Sequence, residues 1–249
     1  MAQQSSKVDV ITGISSMAMR HVLNELTDVY EQRSGRRVSL VSAGGVDAAR
    51  RIDEGEAFDF VVLAADAIEK LVASGRVDPR SRTDLARSAV AIAITAGATR
   101  PDVSSESAIR DAVLRARSIG YSTGPSGAHL ARLFESWSIA DAVAPRIVQA
   151  PPGIPVGALV ARGDVELGFQ QLSELMHVPG IDLIGLLPPE IQMVTLFSAA
   201  VCTTSNHRAA THGLFSFLAS PEADATKRRH GMEPAELSQN RLRSEERHF

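Results

Sequence analysis

Val8-Asp-Val-Ile-Thr-Gly-Ile-Ser-Ser-Met-Ala-Met-Arg-His-Val-Leu-Asn-Glu-Leu26 is the stretch whose reading decides the fold. Val8, Val10 and Ile11 predict a short buried strand, and Gly13 is expected to break it. Met19, Val22, Leu23 and Leu26 then recur at three- and four-residue intervals, which is helical spacing. Ser15 and Ser16 fall at the predicted helix start. A helix N-terminus carries unpaired amides and the positive end of the helix dipole, so two hydroxyls beside it suit an oxyanion. A single serine capping the helix is the plainer reading of the same residues.

The device recurs twice. Arg37 to Ser42 predicts a strand, Ala43-Gly44-Gly45 a loop, and Val46, Ala49 and Ile52 a helix face. Gly44 and Gly45 let backbone amides approach a ligand, though a plain strand-to-helix turn needs no ligand. Further on, Ser118-Ile-Gly-Tyr-Ser-Thr-Gly-Pro-Ser-Gly127 precedes a helix from Ala128 to Trp137. Ser122, Thr123 and Ser126 supply three hydroxyls there, more than capping requires. The loop lacks the Gly-Lys-[Ser/Thr] ending of a Walker phosphate loop.

Between and beyond these units, Phe58 to Ala64 and Ser88 to Thr95 read as buried strands, the latter as in a sheet covered on both faces. Asp66 is read as the cap of a short helix that stops near Gly75. Val165 to Phe169 reads as a strand leading into Gln170 and Gln171, and Val194 to Val201 as another. Helices are expected from Ala209 to Leu218 and from Ser220-Pro221-Glu222 to Gly231, with proline in the favoured first turn. Strands alternating with helices predict an α/β protein with parallel sheets, whose ligands bind beyond the strand carboxyl ends. All three polar loops then face one cleft.

The bulk numbers bound the function. The 249 residues suffice for one large domain or two ordinary ones, and 44% hydrophobic with 22% charged residues is a globular mix. A net charge of -3 offers no basic excess for nucleic acid. The single cysteine, Cys202, reads as a small core residue. No apolar run reaches membrane-spanning length. Met1 to Lys7 shows no secretion signal, which implies a cytoplasmic protein unless a signal was removed for the periplasm. Gln239 to Phe249 reads as a loose charged tail.

The ordered set Gly13-Ile-Ser-Ser16, Ala49-Arg-Arg-Ile52, Phe58 to Ala64, Gly120 to Gly127 and Phe217-Leu-Ala-Ser-Pro-Glu-Ala223 resembles the type II periplasmic binding proteins, molybdate-binding group, from about Val8 to Pro234. The resemblance implies two α/β lobes, residues 1–90 plus 197–249 and 91–196, joined by two crossover strands. Where that group places serines in the second loop this chain has Gly44 and Gly45, and Gln171 stands where it places a tyrosine. Two extra amides, Gln170 and Gln171, then favour a di- or tricarboxylate over molybdate; a solvated strand end is their plainer reading.

Two functions follow. One is a solute-binding protein that closes on a small anion through Ser15, Ser16, Gly44, Gly45, Ser122, Thr123, Ser126, Gln170 and Gln171, and serves the membrane subunits of an ABC transporter. The other is an isomerase of an unsaturated tricarboxylate; aconitate isomerase resembles the molybdate binders. A proton shift needs a group to remove and return a proton, and Tyr121, His129 and Glu174 are the candidates. His129 lies near a helix start, where a neutral imidazole serves as base; a partly exposed helix histidine is the plainer reading. His21 and His212 are read as structural. No metal-ligand spacing is defensible among His207, His212 and His230, and no cofactor motif or serine-hydrolase elbow is present.

Overall fold

The computed structural model describes residues 10–151 and 153–235. Val8, Met1 to Lys7, and Gln239 to Phe249 lie outside the described residues. The first half alternates β1 (Val10–Ser16), α1 (Arg20–Ser34), β2 (Arg37–Ala43), α2 (Gly45–Asp53), β3 (Phe60–Ala64) and α3 (Ala65–Ala73). A long strand, β4 (Thr83–Thr95), leads into α4 (Glu106–Arg115), β5 (Ile119–Tyr121), α5 (Pro125–Ser136) and α6 (Ala140–Val143). Then come β6 (Ile147–Gln149), α7 (Val156–Ala161), β7 (Leu167–Gln171), α8 (Leu172–Leu175) and β8 (Ile181–Leu186). The chain closes with β9 (Val194–Val201), α9 (Arg208–Leu218), α10 (Asp224–Arg229) and β10 (Glu233–Pro234).

The strands run in the order β2-β1-β3-β9-β4-β7-β5-β6, with β8 and β10 paired to β4. The pairs β1–β2, β1–β3, β5–β6 and β5–β7 are parallel. The central pairs β3–β9, β4–β9, β4–β7 and β4–β8 are antiparallel, so the sheet is mixed rather than parallel. The cause is β9, which arrives from far along the chain and inserts between β3 and β4. Strand β4 changes partner at its middle: Thr83 to Ala89 align with β9, and Val90 to Ala93 with β7. Gln192 fills the switch point. Its Oε1 accepts from the Val90 and Met193 amides, both at 2.9 Å, and its Nε2 donates to the carbonyls of Val90 and Leu187.

Alternation along each strand sorts side chains to opposite faces. Ile11, Phe60 and Val62 pack with Leu23 of α1 and Phe215 of α9. Ile14, Val61 and Leu63 pack with Ile52 of α2 and Ile68 of α3, and Cys202 joins them. A second group, Val90, Ile92, Ile109, Leu130, Phe134 and Phe169, is built on α4, α5 and the far half of β4. Burial pushes the Cys202 thiol up to about 12, so it remains an inert core group.

Gly13 does not end β1. The strand continues to Ser16, and a β-carbon at Gly13 would lie 2.2 Å from the Phe60 ring. The residue is small because an aromatic ring crosses its face. Asp66 is not the cap of α3 either; Ala64 holds that position and Asp66 lies in the first turn.

Asp59 ties β1 to the chain after β9. Its carboxylate accepts from the Thr12 amide at 2.8 Å, the Thr12 hydroxyl at 3.0 Å, the Ser205 hydroxyl at 2.7 Å and His207 Nδ1 at 3.2 Å. Burial alone would raise this acid, but the four donors outweigh it and hold it below the ordinary value. Replacing Asp59 with alanine is expected to cost about 2–4 kcal/mol, because four donors, the Ser205 hydroxyl buried and the others partly so, lose their acceptor. The stability that Asp59 contributes is present above pH 4 and is lost as pH falls through its depressed folded value. Urea titrations of wild type and Asp59→Ala should therefore differ less at pH 3 than at pH 7.

Candidate functional site

A cleft of about 930 Å³ opens between the two groups of buried side chains. One wall carries Ser16 at the end of β1, Arg20 and His21 at the start of α1, and Gly44 and Gly45 at the start of α2. The other carries Ser122, Thr123 and Ser126 before and within the first turn of α5, with Gln170, Gln171, Glu174 and His177 from β7 and the chain after it. Neither Gly44 nor Gly124 caps its helix with a side chain. The first-turn amides of α2 and α5 thus meet the cleft without a side-chain cap, at the positive ends of their helix dipoles. A side chain at Gly44 would meet no atom within 4 Å.

Three expected site residues lie elsewhere. Ser15 is fully buried in the sheet, its hydroxyl 3.2 Å from that of Ser42, because strand alternation turns it away from Ser16. Tyr121 packs its ring against Phe134 at 6.2 Å, and burial raises its phenol above the ordinary value. His129 bonds the Ile191 carbonyl through Nε2 at 2.7 Å. One position further along α5 than the cleft-lining Ala128, it is rotated about 100° away. His21 corrects the expectation in the opposite direction, since it lines the cleft.

The helix after β1 also starts later than its apolar spacing suggests. Met17–Met19 form a 3-10 turn, and α1 begins at Arg20. That extra turn is what carries Arg20 and His21 into the cleft. Arg20 is the site residue that apolar periodicity misses, for a cation at a helix start runs against the dipole and carries no motif.

Four side chains define the chemistry. Ser16 Oγ and Gln171 Oε1 are buried and lack a hydrogen-bond partner, and among the described residues no other buried side-chain atoms do. Such atoms are costly unless something fills the space beside them. Gln171 Nε2 lies 2.7 Å from Thr195 Oγ1. A hydroxyl both donates and accepts, so a half-turn of the amide aims its N–H groups into the cleft instead. Gln170 is not free to turn. Its Oε1 accepts from the Val156 amide at 2.8 Å, which leaves Nε2 to donate to Glu174. Desolvation drives the Glu174 carboxyl up to about 7, against the pull of Gln170 and of Arg20.

Residues 11–233 match the family model of the bacterial extracellular solute-binding proteins. The fold is the one that solved periplasmic binding proteins share. The chain belongs to the bacterial extracellular solute-binding protein family. It is 37% identical over 232 residues to an aconitate isomerase of a Pseudomonas species, covering 91% of this chain and 88% of that one. The periplasmic molybdate-binding protein of Azotobacter vinelandii superposes with a TM-score of 0.75 at 20% identity, over 89% of this chain and 98% of that one. A periplasmic binding protein of A. tumefaciens R10, in complex with agropinic acid, gives 0.73 at 13% identity, over 93% and 85%.

Among the described residues no helix is long and apolar enough to cross a membrane. No group of three or more His, Cys, Asp and Glu among them is placed to hold a metal ion.

Proposed function

We propose that this protein isomerises an unsaturated tricarboxylate of the aconitate type by moving one proton along an allylic system. The observation that carries the reading is the place of Glu174, a carboxyl lining a cleft suited to anions beside the fixed Gln170 amide and Arg20, where desolvation pushes it up to about 7. An ionised carboxylate there would repel an anionic guest, by on the order of 1–4 kcal/mol at a separation of about 4 Å, so a receptor built for anions alone has little use for it. A proton-transfer catalyst needs such a group, since the best base at neutral pH has a value near 7. The aconitate isomerase relative supports the same chemistry.

Ionised Glu174 takes a proton from the substrate methylene. The electron pair left behind shifts the double bond by one carbon, and the carboxyl returns the proton to the former vinyl carbon. One base therefore serves both ends, and the atoms balance without a cofactor. Arg20 offsets the charge of the carboxylates and of the carbanion. Ser16, the α2 amides at Gly44 and Gly45, and Ser122, Thr123 and Ser126 hold the remaining carboxylate oxygens, and Gln171 turns to donate to one. The described residues of 1–90 with 197–249, and those of 91–196, act as two lobes that close about β4 and β9.

The second reading is a receptor that delivers a small anion to ABC-transporter membrane subunits. The partnerless Ser16 Oγ and Gln171 Oε1 support it as much as the isomerase, because they serve binding whether or not chemistry follows. Proton NMR of the pure protein with trans-aconitate in D2O separates the two. Appearance of cis-aconitate supports the isomerase, and substrate hydrogen retained at its methylene supports a single base. A large thermal shift without turnover, with aconitate or with molybdate, sinks it and leaves the receptor; a ligand at 100 times its dissociation constant adds about 2.7 kcal/mol.

A further inference from the structure

A chain of titratable side chains crosses from one wall of the cleft to the other. His177 follows α8, two residues past its end, on the wall that carries Glu174. Its Nε2 lies 2.8 Å from Nδ1 of His230, just after α10. His230 Nε2 lies 2.8 Å from Oε2 of Glu25 on α1, the helix that begins with Arg20. The backbone is equally close here: a β-carbon on Gly231 would sit 2.7 Å from Met176 Sδ and 2.9 Å from Leu172 Cγ. So α8 rests directly on the turn after α10, and the imidazole pair spans the join.

We propose that His177, His230 and Glu25 form a clasp that holds the segment bearing Glu174 against the helix bearing Arg20, and that it releases when both imidazoles are protonated. The bond between two imidazoles needs one nitrogen to accept. His230 donates through Nε2 to the Glu25 carboxylate, and its Nδ1 either accepts from His177 or, with a second proton, donates to it. One proton added to the pair is therefore tolerated. Two place N–H against N–H, with like charges in contact.

The neighbours add to the same sense. His21 stands 4.8 Å from His177, ring centre to ring centre, and Arg20 donates to His21 Nε2 at 3.2 Å. On the other side, Arg229 pairs with the same Glu25 carboxylate and also contacts Thr226. Arg228 of α10 is turned to Glu233, and Lys227 to Asp224. Glu174 is the remaining acid on α8. Desolvation and the nearby His230 hold His177 below its ordinary 6.5, and burial, Arg20 and the other two imidazoles do the same for His21. The closed arrangement thus resists protonation and weakens as pH falls. His177, Glu25 and His230 are positioning residues; the proposal rests on the cleft being the ligand site but not on the chemistry done there.

The test needs no ligand. Val46 and Ile154 line the cleft on opposite sides and are exposed. Spin labels at Val46→Cys and Ile154→Cys, in a Cys202→Ala background, report the opening by pulsed dipolar spectroscopy. The wild-type clasp should give a short distance at pH 7.5 and a longer one at pH 5.5. His177→Ala should give the longer distance at both. His177→Gln, which donates and accepts at any pH, should keep the short distance at both. One unchanging distance in the unsubstituted clasp, or a pH response surviving in His177→Gln, overturns the proposal. Absence of aconitate turnover beside an intact pH response overturns only the isomerase reading.

Discussion

Glu174→Gln should lose about 1,000-fold in isomerisation rate and yet melt at a higher temperature than the parent protein above pH 7. The first half follows from the proposed role: glutamine cannot take a proton from the substrate methylene, and a positioned general base contributes on the order of 100- to 10,000-fold. Gln170 Nε2 still finds an acceptor in the new amide oxygen, so the local geometry survives. The second half follows from the raised acidity constant. Folding lifts this carboxyl from 4.5 to about 7, so between those values the folded protein binds a proton that the unfolded chain releases. Stability therefore falls as pH rises from 4.5 to 7 and stays lowered above that. The full shift corresponds to about 3 kcal/mol, and cleft water reduces it to about 1–3 kcal/mol.

Glutamine has no charge to desolvate and escapes that cost. The melting advantage of the variant should be absent at pH 4.5, grow through pH 6, and level off above 7. Differential scanning fluorimetry across that range measures it, and NMR turnover at pH 7.5 measures the rate. A variant that isomerises aconitate at a comparable rate would remove Glu174 from the mechanism. An advantage independent of pH would show that the carboxyl is not strained by burial. Loss of activity with gain of stability is the pattern of a group kept for function at a cost to the fold.

Much of the site was legible in the sequence, and the exceptions have definite physical causes. Ser16, Gly44, Gly45, Ser122, Thr123 and Ser126 meet at one cleft, as expected for polar loops that follow parallel strands, β1 and β2 in one half of the sheet and β5 in the other. That argument works because β1, β2 and β5 run in the expected sense between neighbours. It fails for direction. Ser15 and Ser16 are adjacent, but a strand sends them to opposite faces, and no loop pattern says which one faces the ligand. Ala128 and His129 present the same problem on a helix. Arg20 and His21 escaped because three residues of 3-10 turn precede α1, and hydrophobic periodicity does not register so short an insertion. The antiparallel β9 could not be foreseen from its own residues, since its partners β3 and β4 lie more than 100 residues earlier. His177 and His230, 53 residues apart, meet only through that topology.

Gly127→Ala is expected to produce the largest loss of stability among single substitutions at the cleft. The sequence suggests that Gly124 and Gly127 keep the backbone open to a ligand, but the structure gives Gly127 a different reason. A β-carbon there would lie 1.7 Å from the Ser122 carbonyl oxygen and 2.9 Å from the Tyr121 ring. A backbone oxygen cannot rotate aside as a long side chain does. Either the start of α5 or the loop before it must move, and both carry cleft donors. Ser122 Oγ accepts from the Gly124 amide at 3.3 Å and lies 3.5 Å from Ser126 Oγ, so a shift of Ser122 disturbs the whole turn. Overpacking of this kind costs about 3 kcal/mol or more when backbone must yield. The contrast is Gly44→Ala, whose β-carbon meets nothing within 4 Å and whose cost should stay below about 0.5 kcal/mol. Urea denaturation of the two variants under the same conditions compares them directly. If they unfold at the same midpoint, the close approach of the Ser122 carbonyl does not constrain position 127. If Gly127→Ala unfolds far earlier while Gly44→Ala keeps the wild-type midpoint, Gly127 seats a helix against its own loop and Gly44 carries no such packing constraint.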